Sequence, residues 1–539
     1  MYVDVSQIAS ITPTSRVVVI GAGAVGLYAA SQLAARGRHV VVIESGDSHL
    51  GNFAAESYRS VGRPHTGIRL GRSRSLGGTT NLWGGQLVEF QPIDFDGRAW
   101  LPGSRWPVRY DEIAPYYKPT YLNLGMPLHL LDDDEVWRGV SCSRPDLGPE
   151  FEVFFTRWMG TPNFAELFAK QIQTDEKMSV LAGFTAVGFR GNGLRVEAVR
   201  VANEKGQTHW IEADTVILAA GTIENSRLLL HTAQDPGWHT PWAGNQNIGR
   251  YFQDHLGGRI AAFEPANKRE FFKMFSNVVY AGHKFQPKIR LRNEVQTRQQ
   301  VYNTQVFFAF ESEISEHMVY LKQFMRAALY NRKFSGIGDL FRNGLGMARY
   351  LVPLMWKYVW DHRVFVPSSA KILMHVQAEH APLAESRISI DKSALDSYGL
   401  ARVVLDWRLA GDELASLREF AIQIRDALQS SGIGELKIDE DLLSLDPHFL
   451  SQLGDTYHQA GGTNMADSEQ DGVVDKNLRV FGTENLYVTG AGIFPTTSNA
   501  NTTFTALAFT TRLIDHLTAA APLRSPQPHE LSHPLQQRA

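Results

Sequence analysis

Cysteine is almost missing: the 539-residue chain has one, Cys142. No disulfide can form within the chain, and a cysteine-based metal site is not available to it. A reducing, cytoplasmic setting is the natural expectation. Charge bias is missing as well. Lys and Arg number 53 against 56 Asp and Glu, a formal net charge of -3, which offers nothing to a nucleic acid. No apolar run is long enough to span a bilayer. The first residues, MYVDVSQIASITPTSR, lack the basic-then-apolar order of a secretory signal. No internal repeat is visible. What is plentiful is core material: 43% of residues are hydrophobic, with 46 Gly and 24 Pro to punctuate them. That length supports roughly two to four domain-sized units. From residue 519 onward the composition turns to Pro, His, Gln and Ser, as in an unstructured tail.

The first chemical signal is RVVVIGAGAVGLYAASQLAARGRHVVVIESG. Residues 16–20 form a β-branched run suited to a strand buried on both faces of a parallel sheet. An Ala- and Leu-rich helical stretch and a second apolar run, 40–43, complete a βαβ unit. Gly21, Gly23 and Gly26 lie between strand and helix in the order GxGxxG. The first permits a tight turn, the second lets backbone approach a pyrophosphate, and the third allows close helix–strand packing. The helix N-terminus adds unpaired N–H groups for the phosphates. Glu44 ends the second strand, where a carboxylate accepts bonds from ribose hydroxyls and repels a 2′-phosphate. These residues predict FAD or NAD rather than NADP.

Further along, 194–201 and 208–211 alternate about EKGQ, whose Gly206 suits a hairpin turn. TVILAAG then reads as another buried strand. The region 256–450 mixes strand-like pieces (305–310, 371–378, 387–390) with helical ones (314–330, 413–429). Residues 485–517 return to strand, loop and helix. A nucleotide-binding unit therefore comes from separated pieces, expected at 16–110, 165–255 and 451–518. A substrate unit is expected from 111–164 and 256–450, with tails at 1–15 and 519–539.

Three segments separate FAD from NAD. SRSLGGTTNLWGG (73–85), VILAAGTIENSRLLL (216–230) and NLYVTGAGIFPTTSNANTTFTALA (485–508) resemble the glucose–methanol–choline (GMC) oxidoreductase family, and within it the pyranose-oxidase-like bacterial branch. GRYFQDH (249–255) follows the second as it does in that family. The resemblance implies an α/β fold: a Rossmann-type FAD-binding domain with an inserted α+β substrate domain built on an antiparallel sheet. It also implies which residues meet FAD. Gly77, Gly78 and Thr79 would run against the isoalloxazine, Asn81 and Leu82 would lie near its reactive edge, and Arg74 near the phosphates. Val187 would border the adenine. Ala220 and Gly221 form a strand end admitting the dinucleotide, and Gly490 and Ala491 bring a second backbone turn to it. Some pyranose oxidases attach FAD through a histidine at the position that is Leu82 here, so non-covalent FAD is expected.

The same resemblance marks His458, in YHQAGGTNM, as general base and Asn501, in SNANTTF, as its partner. Oxidising an alcohol removes a proton from oxygen and a hydride from carbon; an imidazole titrates near neutrality and can take the first. The Asn501 amide can orient the oxygen without adding a rival base. Thr502 follows at an expected helix N-terminus. On a strand, His375 and Gln377 would share a face with Glu379, and they are candidate substrate contacts. The expected function is oxidation of an alcohol, with a sugar or glycoside hydroxyl as substrate and oxygen or another electron acceptor. An apolar or lipid-linked alcohol is the alternative, as is a family-type lyase with redox-silent FAD. No metal is expected. Residues 337–360 read either as a helical pair over the substrate region or as a surface segment in contact with a membrane.

Overall fold

The computed structural model describes residues 16–47, 57–233, 237–312, 356–357 and 360–519. Most of 337–360, the helical reading of 314–330 and both expected tails lie outside the described residues, apart from Ala519 itself. Among the described residues no helix is long and apolar enough to cross a membrane.

The β-branched runs become a five-stranded parallel sheet. Its order is Leu486–Val488, Thr215–Leu218, Arg16–Ile20, His39–Glu44 and Met178–Ala182. Sequence neighbours are thus not all spatial neighbours, and strands from both ends of the chain build one layer. The helices Ala24–Ala35 and Thr502–Ala519 pack together on it, tied by Tyr28 and Thr511, whose hydroxyls lie 2.8 Å apart. The alternating stretch after residue 184 forms the antiparallel strands Thr185–Asn192, Arg195–Ala202 and Thr208–Glu212, with Gly206 at φ +75° in the connecting turn.

A larger, antiparallel sheet carries the other half. Its central path runs Gly434–Ile438, Leu256–Pro265, Lys371–Ala378, Thr304–Glu311, His283–Leu291, Phe151–Trp158 and Gln86–Leu87. Side chains alternate across it. One face is apolar: Val153, Phe155, Phe285, Ile289, Val306, Phe308, Met374 and Val376 are all buried. Phe308 meets Phe271 at 4.8 Å between rings, on the helix Lys268–Phe275, and Phe151 meets Phe420 at 5.8 Å, on the helix Glu413–Ser430. Fully burying such a ring contributes about 1.5–3 kcal/mol. The opposite face holds Gln86, Thr156, Gln286, Lys288, Gln305 and Gln377, and it turns toward the loop before the last helix. Gln305 and Gln377, directly paired in the sheet, both donate to the Asn499 carbonyl.

Three contacts cross the boundaries expected from the sequence. Gln86–Leu87 extends the antiparallel sheet. Arg387–Leu395 and Ala401–Trp407 form a small sheet with Tyr58–Gly62. The helix Tyr110–Asn123 packs on Thr502–Ala519, with the Tyr121 and Phe504 rings 4.1 Å apart.

A buried ion pair closes the end of the sheet. The Arg98 guanidinium donates to both oxygens of Glu379, which also accepts from the Asn303 amide at 2.6 Å. Arg98 and Glu379 are 3% and 1% exposed. Asp94 alongside accepts from Asn303 at 2.6 Å and from Ser498 at 2.8 Å, anchoring the loop over the polar face. Glu379 is therefore a structural residue, not a member of the open polar face. Removing one charge of such a pair strands the other without solvent. We expect Glu379→Gln to lower stability by about 3–5 kcal/mol, read as a shift of the denaturant midpoint.

Candidate active site

A long cleft runs along the carboxyl ends of the parallel strands, where open α/β sheets take their ligands. It is lined by Gly21, Gly23, Glu44, Arg74, Gly78, Thr79, Ala220, Gly221, Gly490, Ala491 and Thr502, together with Arg72, Ala186, Tyr457 and others. The backbone shows why small residues stand there. Gly26 has no alternative: a Cβ would lie 1.8 Å from the Gly21 carbonyl oxygen. Gly23, Gly221 and Gly490 are different, since a Cβ at any of them would meet nothing within 4 Å. Those three bare backbones face open space of the kind a dinucleotide fills. Gly23 caps its helix without a side-chain bond, leaving first-turn amides for a phosphate. Glu44 is buried, and burial pushes its carboxyl up against the amides of Gly46 and Ala22, which bond it at 2.9 and 2.8 Å. A carboxylate has lone pairs beyond those two bonds for a ribose. Arg74 donates to Thr185 at 2.6 Å and lies over the Tyr398 ring at 4.3 Å. The chain's residues fit FAD.

Five of the expected cofactor residues stand behind the cleft surface. Gly26 packs helix against strand. Gly77, at φ +86°, forms the turn before Gly78. Asn81 donates to Ser75 and to the Leu76 and Gly78 carbonyls, within 3.1 Å, so its amide holds the loop together. Leu82 follows it outside the lining, while Trp83 reaches the cleft and donates to the Pro162 carbonyl at 2.8 Å. Val187 packs with Ala202, Tyr398 and Leu400, and its neighbour Ala186 does the lining.

Beyond one end of the cleft sits a cluster of imidazoles. His255 faces the Thr497 carbonyl through Nε2 at 3.2 Å. A carbonyl only accepts, so Nε2 carries the hydrogen. Burial lowers the His255 pKa and keeps the ring neutral, leaving a lone pair on its Nδ1. His458 Nδ1 lies 3.0 Å from that lone pair and must donate to it, with Thr456 Oγ1 a second acceptor at 2.8 Å. The proton of neutral His458 is thereby held on Nδ1, and Nε2 is the free basic nitrogen. Below them lies Asp254, with no exposure. It accepts from the amides of His255 at 2.8 Å and His458 at 2.9 Å, and from His65 Nε2 at 3.1 Å. Burial alone would raise Asp254, but the bond and charge of His65, with His458 and His255, hold it at about 2. For His458 burial is the largest influence, and His255 adds to it. Asp254 opposes them, Lys288 does not, and the imidazole is pushed down to about 3.

Asn501 stands on the other side of the same loop. Its Oδ1 lies 3.3 Å from the Gln377 amide nitrogen, and its own amide donates to Gln86 at 3.3 Å. The sheet thus brings Gln377 to Asn501. His375 sits one pair farther along, half-buried, with its ring 5.8 Å from Phe307. Sequence reasoning missed Asp254, His255, Thr456 and Gln86. QDH was visible as a mark of chain order, but nothing in its spacing shows that its His backs His458.

Comparison with known proteins agrees with this fold. Residues 16–268 match the family FAD dependent oxidoreductase, and residues 382–510 match the family GMC oxidoreductase. The chain is similar to 2-methyl-1,2-propanediol dehydrogenase of Mycolicibacterium austroafricanum, at 22% identity over 82% of this chain and 80% of that one. It is also similar to the fructose dehydrogenase large subunit of Gluconobacter japonicus, at 19% identity over 94% and 98%. Among solved structures, pyridoxine 4-oxidase from Mesorbium loti superposes with a TM-score of 0.58 at 18% identity, over 94% of this chain and all of that one. The protein is an FAD-dependent oxidoreductase. Within that class it belongs to the GMC oxidoreductase family.

The two kinds of glycine separate binding from folding. Gly23→Val is expected to fold with an unchanged melting temperature yet purify without flavin absorbance, because its side chain occupies the open space. Gly26→Ala has no room, and should lose about 3 kcal/mol or more of stability.

Proposed function

We propose that this enzyme oxidises a hydroxyl of a small polar molecule, a sugar or a related polyol, with His458 as general base and FAD held without a covalent bond. The observation that carries the reading is the fixed tautomer of His458, which leaves Nε2 unprotonated with no hydrogen-bond partner among the described residues. FAD, when bound, supplies the acceptor for the hydride. His458 Nε2 takes the hydroxyl proton, and the charge that develops on the ring faces the ionised Asp254. Asn501, held between Gln86 and Gln377, orients the hydroxyl oxygen. The amide-rich sheet face favours a hydroxylated substrate over an apolar alcohol, since a hydrocarbon offers nothing to the buried Gln305 Oε1, unpartnered among the described residues. The names of the relatives, a diol dehydrogenase and a fructose dehydrogenase, agree with a hydroxylated substrate. Leu82 offers no atom for a bond to the flavin, in keeping with non-covalent FAD.

Anaerobic mixing of the flavin-bound enzyme with neutral sugars and polyols should bleach the flavin; a lyase with redox-silent FAD would leave it yellow. His458→Ala should slow the bleaching by about 10²–10⁴-fold, and an unchanged rate removes His458 from the mechanism.

A base works only unprotonated, so activity is lost as pH falls through its pKa. With His458 pushed down to about 3, kcat/KM for a neutral sugar is expected to hold level through the acid range down to roughly pH 4. A limb near pH 6.5 would show that another group governs the step.

A further inference from the structure

On the polar face of the antiparallel sheet, Lys288 has no ion pair or hydrogen bond among the described residues. Lys288 is 2% exposed, on the strand His283–Leu291, opposite Phe154. Its ammonium lies 5.2 Å from the centre of the Phe307 ring, and no carboxylate or hydrogen-bond acceptor meets it among the described residues. Its neighbours on the same face are provided for. Arg290 bonds Glu152 at 2.9 Å, and Gln286 accepts from Gln86 at 2.8 Å. Gln86 in turn accepts from Asn501, so Lys288 stands two residues along the strand from the amide chain that holds the proposed substrate-orienting residue. The positive charge of Lys288 also helps to lower the His458 pKa, as the smallest of its influences. Lys288 therefore lies on the sheet face that carries the amide chain to Asn501, within electrostatic reach of His458.

An unpaired ammonium out of water is costly, and folding does not require it here. Around it stand neutral amides, a threonine, two phenylalanine rings, the unprotonated His458 and the mutually balanced Arg290–Glu152 pair, so one monovalent anion would balance the site. A phosphate dianion would overfill it. We propose that Lys288 is a substrate-recognition residue that binds a carboxylate on the alcohol being oxidised, making hydroxy acids and sugar acids the preferred substrates. This rests on the alcohol-oxidising reading above and narrows it. Burial drives Lys288 down to about 7, so the empty site holds a lysine poised to take up a proton when an anion arrives.

The test pairs neutral and anionic probes on the flavin-bound enzyme: glycerol against glycerate, and glucose against gluconate. The wild type should reduce its flavin with a higher kcat/KM for the acid of each pair. In Lys288→Met the ratio of acid to neutral kcat/KM should fall on the order of 10²-fold, mainly through KM, and Lys288→Arg should restore part of it. A second arm needs no turnover. Acetate titrated into the oxidised enzyme should perturb the flavin spectrum in the wild type, and the response should weaken above pH 7 and vanish in Lys288→Met. Retained flavin and melting temperature establish that the variant is folded. Equal kcat/KM for both members of each pair, or acetate binding unchanged in Lys288→Met, overturns the proposal. Tighter binding of phosphate than of acetate overturns the carboxylate assignment. Failure of every alcohol to bleach the flavin sinks the oxidation reading, while the acetate titration still decides Lys288.

Discussion

A carboxylate sealed from water must find its hydrogen bonds inside the protein, and at Asp254 that demand organises the His255–His458 cluster. Its two oxygens gather amides from the start of one sheet strand and from the 456–458 loop, along with the imidazole of His65. Those groups come from parts of the chain about 200 residues apart. None of them can leave without exposing an unsatisfied anion to an apolar interior, a loss on the order of several kcal/mol. The His458 ring is carried on backbone fixed in this way. Its proton is then placed by a second requirement, the Thr497 carbonyl that dictates the tautomer of His255. Geometry and protonation state are thus set by separate contacts.

Glycine serves the cofactor cleft in two ways that look alike on paper. At Gly26 the absence of a side chain lets two backbones touch; at Gly23, Gly221 and Gly490 it leaves a surface bare. Gly26 belongs to the fold and Gly23 to the ligand, while Gly221 and Gly490, at φ +85° and +117°, serve both, because their backbone turn also favours glycine. The GxGxxG spacing contains both kinds, which is why it reports a nucleotide site so much better than any single glycine does.

How much of this was legible in the sequence depended on the range of the contacts. The βαβ unit, the hairpin around Gly206, the strand Lys371–Ala378 and the helix starting at Thr502 rest on local periodicity and turn chemistry, and they stand where the residues suggested. Family motifs led to FAD and to the loops bearing His458 and Asn501. What stayed hidden was long-range. Gln86 reads as part of a glycine-rich cofactor segment, yet its two-residue strand pairs with the substrate sheet and its amide reaches Asn501. Glu379 reads as the next member of a polar strand face, but the strand stops at Ala378 and the carboxylate turns to Arg98. Val187 was one residue out of register with the cleft, because a bulge shifts its strand between Ala186 and Gly188. Lys288 gives no local sign at all, since an isolated lysine in a strand is ordinarily a solvent-facing one.

The antiparallel sheet divides its labour between its two sides. Aromatic packing against the helices Lys268–Phe275 and Glu413–Ser430 holds one side, while the other side carries amides turned toward the loop before the last helix. Residues two apart on a strand can therefore change independently of their neighbours. A lineage could swap amides, ammonium groups and rings across the reactive side, exploring new metabolites, while the aromatic side kept the molecule folded. Such a scaffold invites diversification of chemistry without renegotiating stability at each step.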